Sequence, residues 1–392
     1  MRSSTQHPVN PIYLDYAATT PVDPHVVQKM QACLGLEGAF ANPASDHALG
    51  SVAKALVEDA RAQVAKLLHT VPRSIVFSSG ATESINLALK GVAHAYSNRG
   101  KHIITAKTEH PAVLDSCAYL ESIGYEVTYL DCLQSGLIAL EDLKSACRSD
   151  TVLISLMQVN NETGIVQDIA AMAAIARDRG IIFHMDAAQS VGKIPIDVQA
   201  LKVDLLSFSG HKIYGPKGVG VLYVGDSPRI RLTPQMHGGG QERGLRAGTL
   251  ATHQIVGIGE ACRIAQESME SDYKAIAALR DVFWQGLQAL PGVMANVSAA
   301  NTVPHILNLR FEGADPQSLI KGLAMDGLAF SQASACHATH LAPSYVLRAM
   351  GLSEKQAAAS LRFSFGRFTR PDDIAQAIRT LHTRLKGESS CL

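Results

Sequence analysis

An α/β fold organised around a mainly parallel sheet is what this 392-residue sequence predicts, on three observations. From about residue 75 to about 225, short apolar β-rich runs alternate with helical patterns, the order that a helix-covered parallel sheet requires. The length exceeds what one hydrophobic core ordinarily organises, which predicts a second, smaller unit. The composition, 47% hydrophobic and 18% charged, lies near the globular average and makes disorder the wrong default.

In chain order the predicted strands are Ser74–Phe77, His102–Thr105, Glu126–Leu130, Val152–Met157, Ile181–Met185, Leu205–Phe208 and Val219–Val224. Between them lie helical stretches such as Glu83–Tyr96, Ala112–Ile123 and Ile169–Arg179. Gly238-Gly239-Gly240 is a loop, and helical stretches over about 250–290 lead out of the large unit. The remainder reads as a smaller α+β unit: strand Ile306–Phe311, helix Pro316–Met325, a second strand near Leu328, strand Leu361–Phe365 and a final helix Asp372–Leu385.

Lys+Arg and Asp+Glu are both 35, so nothing in the net charge favours a polyanion, and direct nucleic-acid binding is not expected. No apolar run approaches bilayer length, so no membrane partner is expected. The opening Met1–Pro8 lacks the apolar stretch of a signal peptide, which gives a cytoplasmic expectation. The 7 cysteines are scattered, odd in number and contain no C-x-x-C, a reducing-compartment pattern.

Ligands of parallel α/β sheets gather at the carboxyl ends of the strands, so the polar residues there are the ones to inspect. Ser78-Ser79-Gly80-Ala81-Thr82-Glu83 leaves the first strand and opens a helix. Its free N–H groups and dipole suit a phosphate, although a plain Ser/Thr N-cap explains the same residues. Asp186 closes the fifth strand, where a buried carboxylate needs a partner: a protonated ring nitrogen, a structural arginine or a helix cap. Ser209-Gly210-His211-Lys212 closes the sixth; a lysine at that edge is either a desolvated amine suited to Schiff-base chemistry or an ordinary surface residue.

Other motifs fail on their context. Ser209-x-x-Lys212 lacks the S-D-N and K-T-G of β-lactamase-like enzymes, and His237-Gly238-Gly239-Gly240 lacks a G-x-S-x-G elbow. There is no P-loop and no G-x-G-x-x-G. Neither His184 with Asp186 nor Cys336 with His337 and His340 has the spacing of a closed site, so no metal is expected.

Taken together, the blocks resemble the class V aminotransferase family of fold-type-I pyridoxal-phosphate enzymes, and more narrowly the cysteine desulfurases of the NifS/IscS group. The resemblance runs nearly from end to end, through Tyr13-Leu14-Asp15-Tyr16-Ala17-Ala18-Thr19, Asn42-Pro43-Ala44-Ser45, Ser79-Gly80-Ala81-Thr82-Glu83-Ser84, Thr108-Glu109-His110, Asn160-Asn161-Glu162-Thr163-Gly164, Asp186-Ala187-Ala188-Gln189-Ser190, Ser209-Gly210-His211-Lys212, Gly238-Gly239-Gly240-Gln241-Glu242-Arg243, Ala335-Cys336 and Arg362-Phe363-Ser364. It implies a large, mainly parallel, seven-stranded domain over 22–265. The smaller α+β domain would comprise 1–21 and 266–392 and carry the catalytic-cysteine loop.

The resemblance also implies roles. Lys212 would bear pyridoxal 5'-phosphate, Asp186 would keep the ring nitrogen protonated, and Gln189 would bond the ring hydroxyl with Asn161 beside the ring. His110 would stack on the ring and move protons. Ala81, Thr82, Ser209 and His211 would form the phosphate cup, joined by Thr249 from the other subunit of a homodimer. Arg362 would clamp the substrate carboxylate, assisted by Asn42.

The implied reaction takes L-cysteine to L-alanine and leaves sulfur on a protein thiol as a persulfide. Cys336, in the small, polar, proline-bounded stretch Ser331–Tyr345, resembles the nucleophile of the long-loop subgroup, and protonated neighbouring histidines would lower its pKa. The family commonly has glycine and Thr or Ser where this chain has Ala333 and His337. A histidine there is also seen in selenocysteine lyases, so that lyase or another enzyme on the same cofactor is one alternative. A partner-dependent sulfur-relay subunit with slow turnover is another. The acceptor is expected to be a protein of iron–sulfur assembly or nucleic-acid thiolation. The ending Lys386–Leu392, shorter than the scaffold-docking tail usual in iron–sulfur delivery, makes a thiolation acceptor plausible.

Overall fold

Strands buried on both faces need apolar residues at every position, and that is how this chain builds its centre. The computed structural model describes residues 11–226, 230–332 and 343–389. After a short strand β1 (Ile12–Tyr13) and helices Pro24–Gln31 and Ala48–Leu67 come seven strands: β2 (Ile75–Ser78), β3 (His102–Ala106), β4 (Glu126–Leu130), β5 (Thr151–Met157), β6 (Ile182–Asp186), β7 (Leu205–Ser209) and β8 (Gly220–Val224). They form one sheet in the order β2-β8-β7-β6-β5-β3-β4. From β4 to β7 every pairing is parallel, whereas β8 runs antiparallel to both β7 and β2. Every residue of β5, β6 and β7 is buried, while the edge strand β4 is half-exposed.

Helices cover both faces. One core layer joins the sheet to helices Ala48–Leu67 and Ile169–Asp178 and to the start of a long helix, Thr252–Leu287. The other packs helices Ala81–Ala95 and Pro111–Ser122 on the opposite side. Asp186 and Ser209 belong to their strands rather than following them, because each still has a ladder partner, Met157 and Gly220 respectively.

The stretches read over 250–290 are one helix of 36 residues, about 54 Å long at 1.5 Å per residue. Its last turns enter a separate core with β9 (Val293–Ala295), β10 (Ile306–Phe311), β11 (Leu328–Ala329), β12 (Ser331–Gln332), β13 (Ser360–Ser364) and helices Pro316–Met325 and Pro371–Ser389. The antiparallel sheet here has the order β12-β13-β10-β9, and β11 pairs with β1. Phe283 of the long helix meets Phe363 and Phe365 at ring centroid distances of 5.1 and 5.5 Å, in tilted and edge-on geometry. Among the described residues no helix is long and apolar enough to cross a membrane.

Candidate active site

The carboxyl ends of β5, β6 and β7 open into a cleft of about 640 Å³. After β7 the chain makes one 3₁₀ turn, Gly210–Lys212, which carries Lys212 into it. Lys212 Nζ donates to the Ala17 and Ala18 carbonyls at 2.6 and 2.8 Å, so the segment after β1 forms one wall. Asp186 sits at the end of β6, where its Oδ1 accepts the Ala188 N–H at 2.9 Å. Burial raises its pKa, against the lowering effect of that N–H, of His110 and of Lys212. No ion pair to it is present among the described residues, and the charged groups acting on it are His110 and Lys212.

His110 caps helix Pro111–Ser122, its Nδ1 accepting the Ala112 N–H at 3.1 Å, so the ring proton resides on Nε2. Burial lowers its pKa and holds it neutral. His211, bonded through Nδ1 to Thr19 Oγ1 at 3.1 Å, is pulled down to about 4 by burial and by Lys212, Lys217 and Lys193.

Helix Ala81–Ala95 starts without a side-chain cap, so the Ser/Thr N-cap reading does not hold. Ser78 Oγ bonds instead to Ser84 Oγ and to the Gly80 carbonyl, and Glu83 pairs with Arg246 at 2.8 Å. The uncapped first turn at Ala81 and Thr82 faces the cleft, where an anion would satisfy its N–H groups. Gly220 lets β8 pass close beneath this turn: a Cβ there would lie 2.5 Å from Gly80 Cα.

The small sheet contributes Arg362 from β13. Its Nη2 donates to Asp15 Oδ1 and Ser331 Oγ, both at 2.9 Å, and Nη1 donates to the Asn161 carbonyl at 2.7 Å. Among the described residues two buried atoms here have no partner, Arg362 Nε and Asn161 Oδ1. Glu162 is next to them, bonded to Ser344 Oγ; burial raises its pKa to about 7 despite Ser344 and Arg362.

The cleft thus brings together Ala81, Thr82, His110, Asn161, Asp186, Gln189, Ser209, His211, Lys212 and Arg362. Two expected residues lie elsewhere. Asn42 is exposed on a separate groove with Arg61 and Glu242, and Thr249 is exposed on the loop before the long helix. Cys336 falls outside the described residues. Of the described cysteines, Cys33, Cys117 and Cys262 are buried and Cys132 and Cys147 half-buried, and burial raises the pKa of each. None of the five lines the cleft. Among the described residues no group of three or more His, Cys, Asp or Glu is placed to hold a metal ion. Motif reading missed Asp15, Glu162, Lys193 and the Ala17 and Ala18 carbonyls, although all but Lys193 lie within the blocks that carry the resemblance.

An uncapped helix start, a strand-end lysine and a buried aspartate that meet in one cleft at the carboxyl edge of this sheet define an α/β enzyme. Comparison with known proteins agrees. The family model for class-V aminotransferases matches residues 12–376. The chain is 56% identical over 372 residues to the cysteine desulfurase IscS of Aeromonas hydrophila subsp. hydrophila, covering 95% of this chain and 92% of that protein. Among solved structures, a NifS-like protein superposes with a TM-score of 0.90 at 34% identity, covering 96% of this chain and all of the other. SspA in complex with cysteine superposes with a TM-score of 0.82 at 40% identity, covering 91% and 99%. The chain belongs to the class V aminotransferase family and, within it, to the cysteine desulfurases of the NifS/IscS group.

Proposed function

We propose that the chain is a pyridoxal-phosphate-dependent desulfurase that converts L-cysteine to L-alanine and passes the sulfur to Cys336, as a persulfide, for a further acceptor protein. The observation that carries this reading is the convergence in one cleft of Lys212, Asp186 and His110 with an uncapped helix start. The residues fit the cofactor. The amides of Ala81 and Thr82, with Ser209 and His211, would take the phosphate, and Asp186 would pair with the protonated ring nitrogen. His110 and Asn161 would lie against the ring, Gln189 would bond its hydroxyl, and Lys212 would bear the aldehyde carbon. When bound, the group supplies an electron sink for charge developing at the substrate Cα.

The chain's own residues do the rest. Arg362 takes the substrate carboxylate, for which its Nε, without a partner among the described residues, is available. Lys212 moves the Cα proton, and His110, with its proton on Nε2, serves the substrate thiol. The Cys336 thiolate attacks the substrate sulfur: an S–S bond forms, the Cβ–S bond breaks with its electron pair passing to Cβ, and a proton there completes alanine. The raised thiol pKa values and the positions of the five described cysteines support giving this step to Cys336.

The working form is a cytoplasmic homodimer of the long-loop subgroup, with Thr249 completing the partner's phosphate site. The exposure of Thr249, away from its own chain's cleft, supports that assignment. The long helix supports a domain division near residue 265: its buried residues up to Ala265 join the first core, and from Ile276 they join the small one.

Purified protein supplied with pyridoxal phosphate is expected to show the visible absorbance of a lysine-bound cofactor, and Lys212→Ala to lose it. Alanine and sulfide should form from cysteine, and Cys336→Ser should abolish both while retaining the absorbance. Absence of the band in the wild type would refute the cofactor assignment. Selenocysteine lyase is the second reading, favoured by His337; it would be supported if Cys336→Ser lost cysteine turnover but kept selenocysteine turnover.

A further inference from the structure

Lys193 lies one turn after Gln189, in a segment the motif reading left without a role. Gly192, at φ +70°, reverses the chain there, and a Cβ on it would press at 3.1 Å on both Ala265 and Ile213. The reversal lets Lys193 Nζ reach back to Gln189 Oε1 at 3.2 Å. Gln189 Nε2 in turn donates to the Ala17 carbonyl at 2.8 Å, the same oxygen that receives Lys212 Nζ at 2.6 Å. Two lysines are therefore joined through one amide and one carbonyl. His305, buried just before β10, lies beside this bridge on the small-sheet side and lines the same small cavity as Lys193.

A lysine ammonium donates and cannot accept, so it fixes Oε1 toward itself and leaves Nε2 as the only end of the amide facing Ala17 and the cleft. Without that cation the amide is held in this sense by the Ala17 carbonyl alone, an acceptor already shared with Lys212. Among the described residues Lys193 has no ion-pair partner. The charged groups acting on it are Lys212 and Arg362. On its other side a cavity of about 20 Å³ is lined by Tyr16, Tyr214, Asp272, Tyr273 and His305, with Asp272 already committed to Arg367 at 2.8 Å. A half-buried cation without a counter-ion is costly unless something anionic sits within reach, and the cleft on the far side of Gln189 is where the proposed cofactor would place one.

We propose that Lys193 is a positioning residue: it orients the Gln189 amide as a donor into the cleft and so sets the proton affinity of the Lys212 nitrogen in the loaded enzyme. The inference rests on the cofactor assignment above. Burial, then Lys212 and Arg362, pull the Lys193 ammonium down to about 7, so its charge responds to an anion brought near Gln189 in the neutral range.

The test is the pH titration of the bound cofactor's visible spectrum, a readout independent of turnover. Lys193→Met removes the cation and leaves the amide held by the Ala17 carbonyl alone, so its donor end is presented less firmly to the cleft; both changes hold the proton more tightly on the Lys212 nitrogen. The spectral midpoint should move up by about one pH unit. Lys193→Arg should restore the midpoint to within a few tenths, and Lys193→Gln, neutral and hydrogen-bonding, should behave like Lys193→Met. In a Gln189→Ala background the Lys193→Met shift should shrink to about half or less, because the amide's share is gone and only the through-space loss of the cation remains. A full shift in that background, or none in the Lys193 variants while the band persists, overturns this inference alone. A wild type without the band overturns the cofactor reading and this inference together.

Discussion

Glu162 shows how far one buried carboxyl is displaced by its place beside the cleft. It is almost wholly buried, and desolvation raises its pKa from 4.5 to about 7, outweighing the Ser344 hydroxyl and the Arg362 guanidinium. The folded state therefore binds this proton more tightly than the unfolded chain does. The resulting stability is fully present below about pH 4.5 and disappears as the pH rises through about 7, a contribution on the order of 3 kcal/mol. Glu162→Gln, which keeps the shape but not the titration, should be less sensitive to pH over that range. Urea unfolding of both cofactor-free proteins at pH 5 and pH 8 tests this; an equal stability difference between them at the two pH values would refute it. Such residues are hard to read from sequence. Asp15 and Arg362 are 347 positions apart, and the Lys193–Gln189 contact depends on the φ of an intervening glycine. Lys212 and Asp186 were legible as candidates because ligands gather at the ends of parallel strands, whereas His110 entered only through the family resemblance.

At the scale of elements, the contact between helices Ala48–Leu67 and Thr252–Leu287 depends on small residues. A Cβ on Gly259 would lie 2.6 Å from Ala60 Cα, and one on Gly257 would lie 2.9 Å from Met30 and Pro216. Gly259→Ala gains helix propensity of about 1 kcal/mol. The clash is with backbone, which cannot rotate away, so a net loss of roughly 1–3 kcal/mol is expected. Thermal unfolding should fall by several degrees; an unchanged or higher midpoint would mean that the helices separate freely. The same smallness explains why helix Ala48–Leu67 escaped the sequence reading. Its buried face is Gly50, Ala53, Val57, Ala60, Arg61, Val64, Ala65 and Leu67, mostly small residues that give little apolar contrast. The short strands β9 and β12 carry too few residues for any periodicity. The apolar strands of the large sheet were found to within a residue or two, since burial on both faces writes itself as continuous β-branched runs.

For the whole molecule, the two unplaced residues point beyond a single chain. Asn42 and Thr249 are exposed and lie away from their own cleft, and Leu34, Leu36 and Phe40, in the segment just before Asn42, are exposed as well. Sedimentation should give twice the chain mass. Thr249→Val should weaken retention of pyridoxal phosphate roughly 3- to 10-fold through the loss of one hydrogen bond. In hybrids of Lys212→Ala with Lys212→Ala/Thr249→Val chains carrying a wild-type partner, retention at the wild-type Lys212 should fall only when the other chain bears the Thr249 change. Retention that followed the Lys212-bearing chain's own Thr249 would place the residue in its own site.

The 36-residue helix that joins the two cores gives the enzyme a particular stiffness. Its buried side chains are anchored in one core at Ile258 and Cys262 and in the other at Phe283 and Leu287, with no proline between them. Rotating one half against the other then requires bending a hydrogen-bonded rod rather than swinging about a loop. The jaws that hold Lys212 and Arg362 are then expected to keep a nearly constant gap, so that a substrate is selected by its length rather than by closure. Scattering curves recorded with and without cysteine should accordingly superimpose.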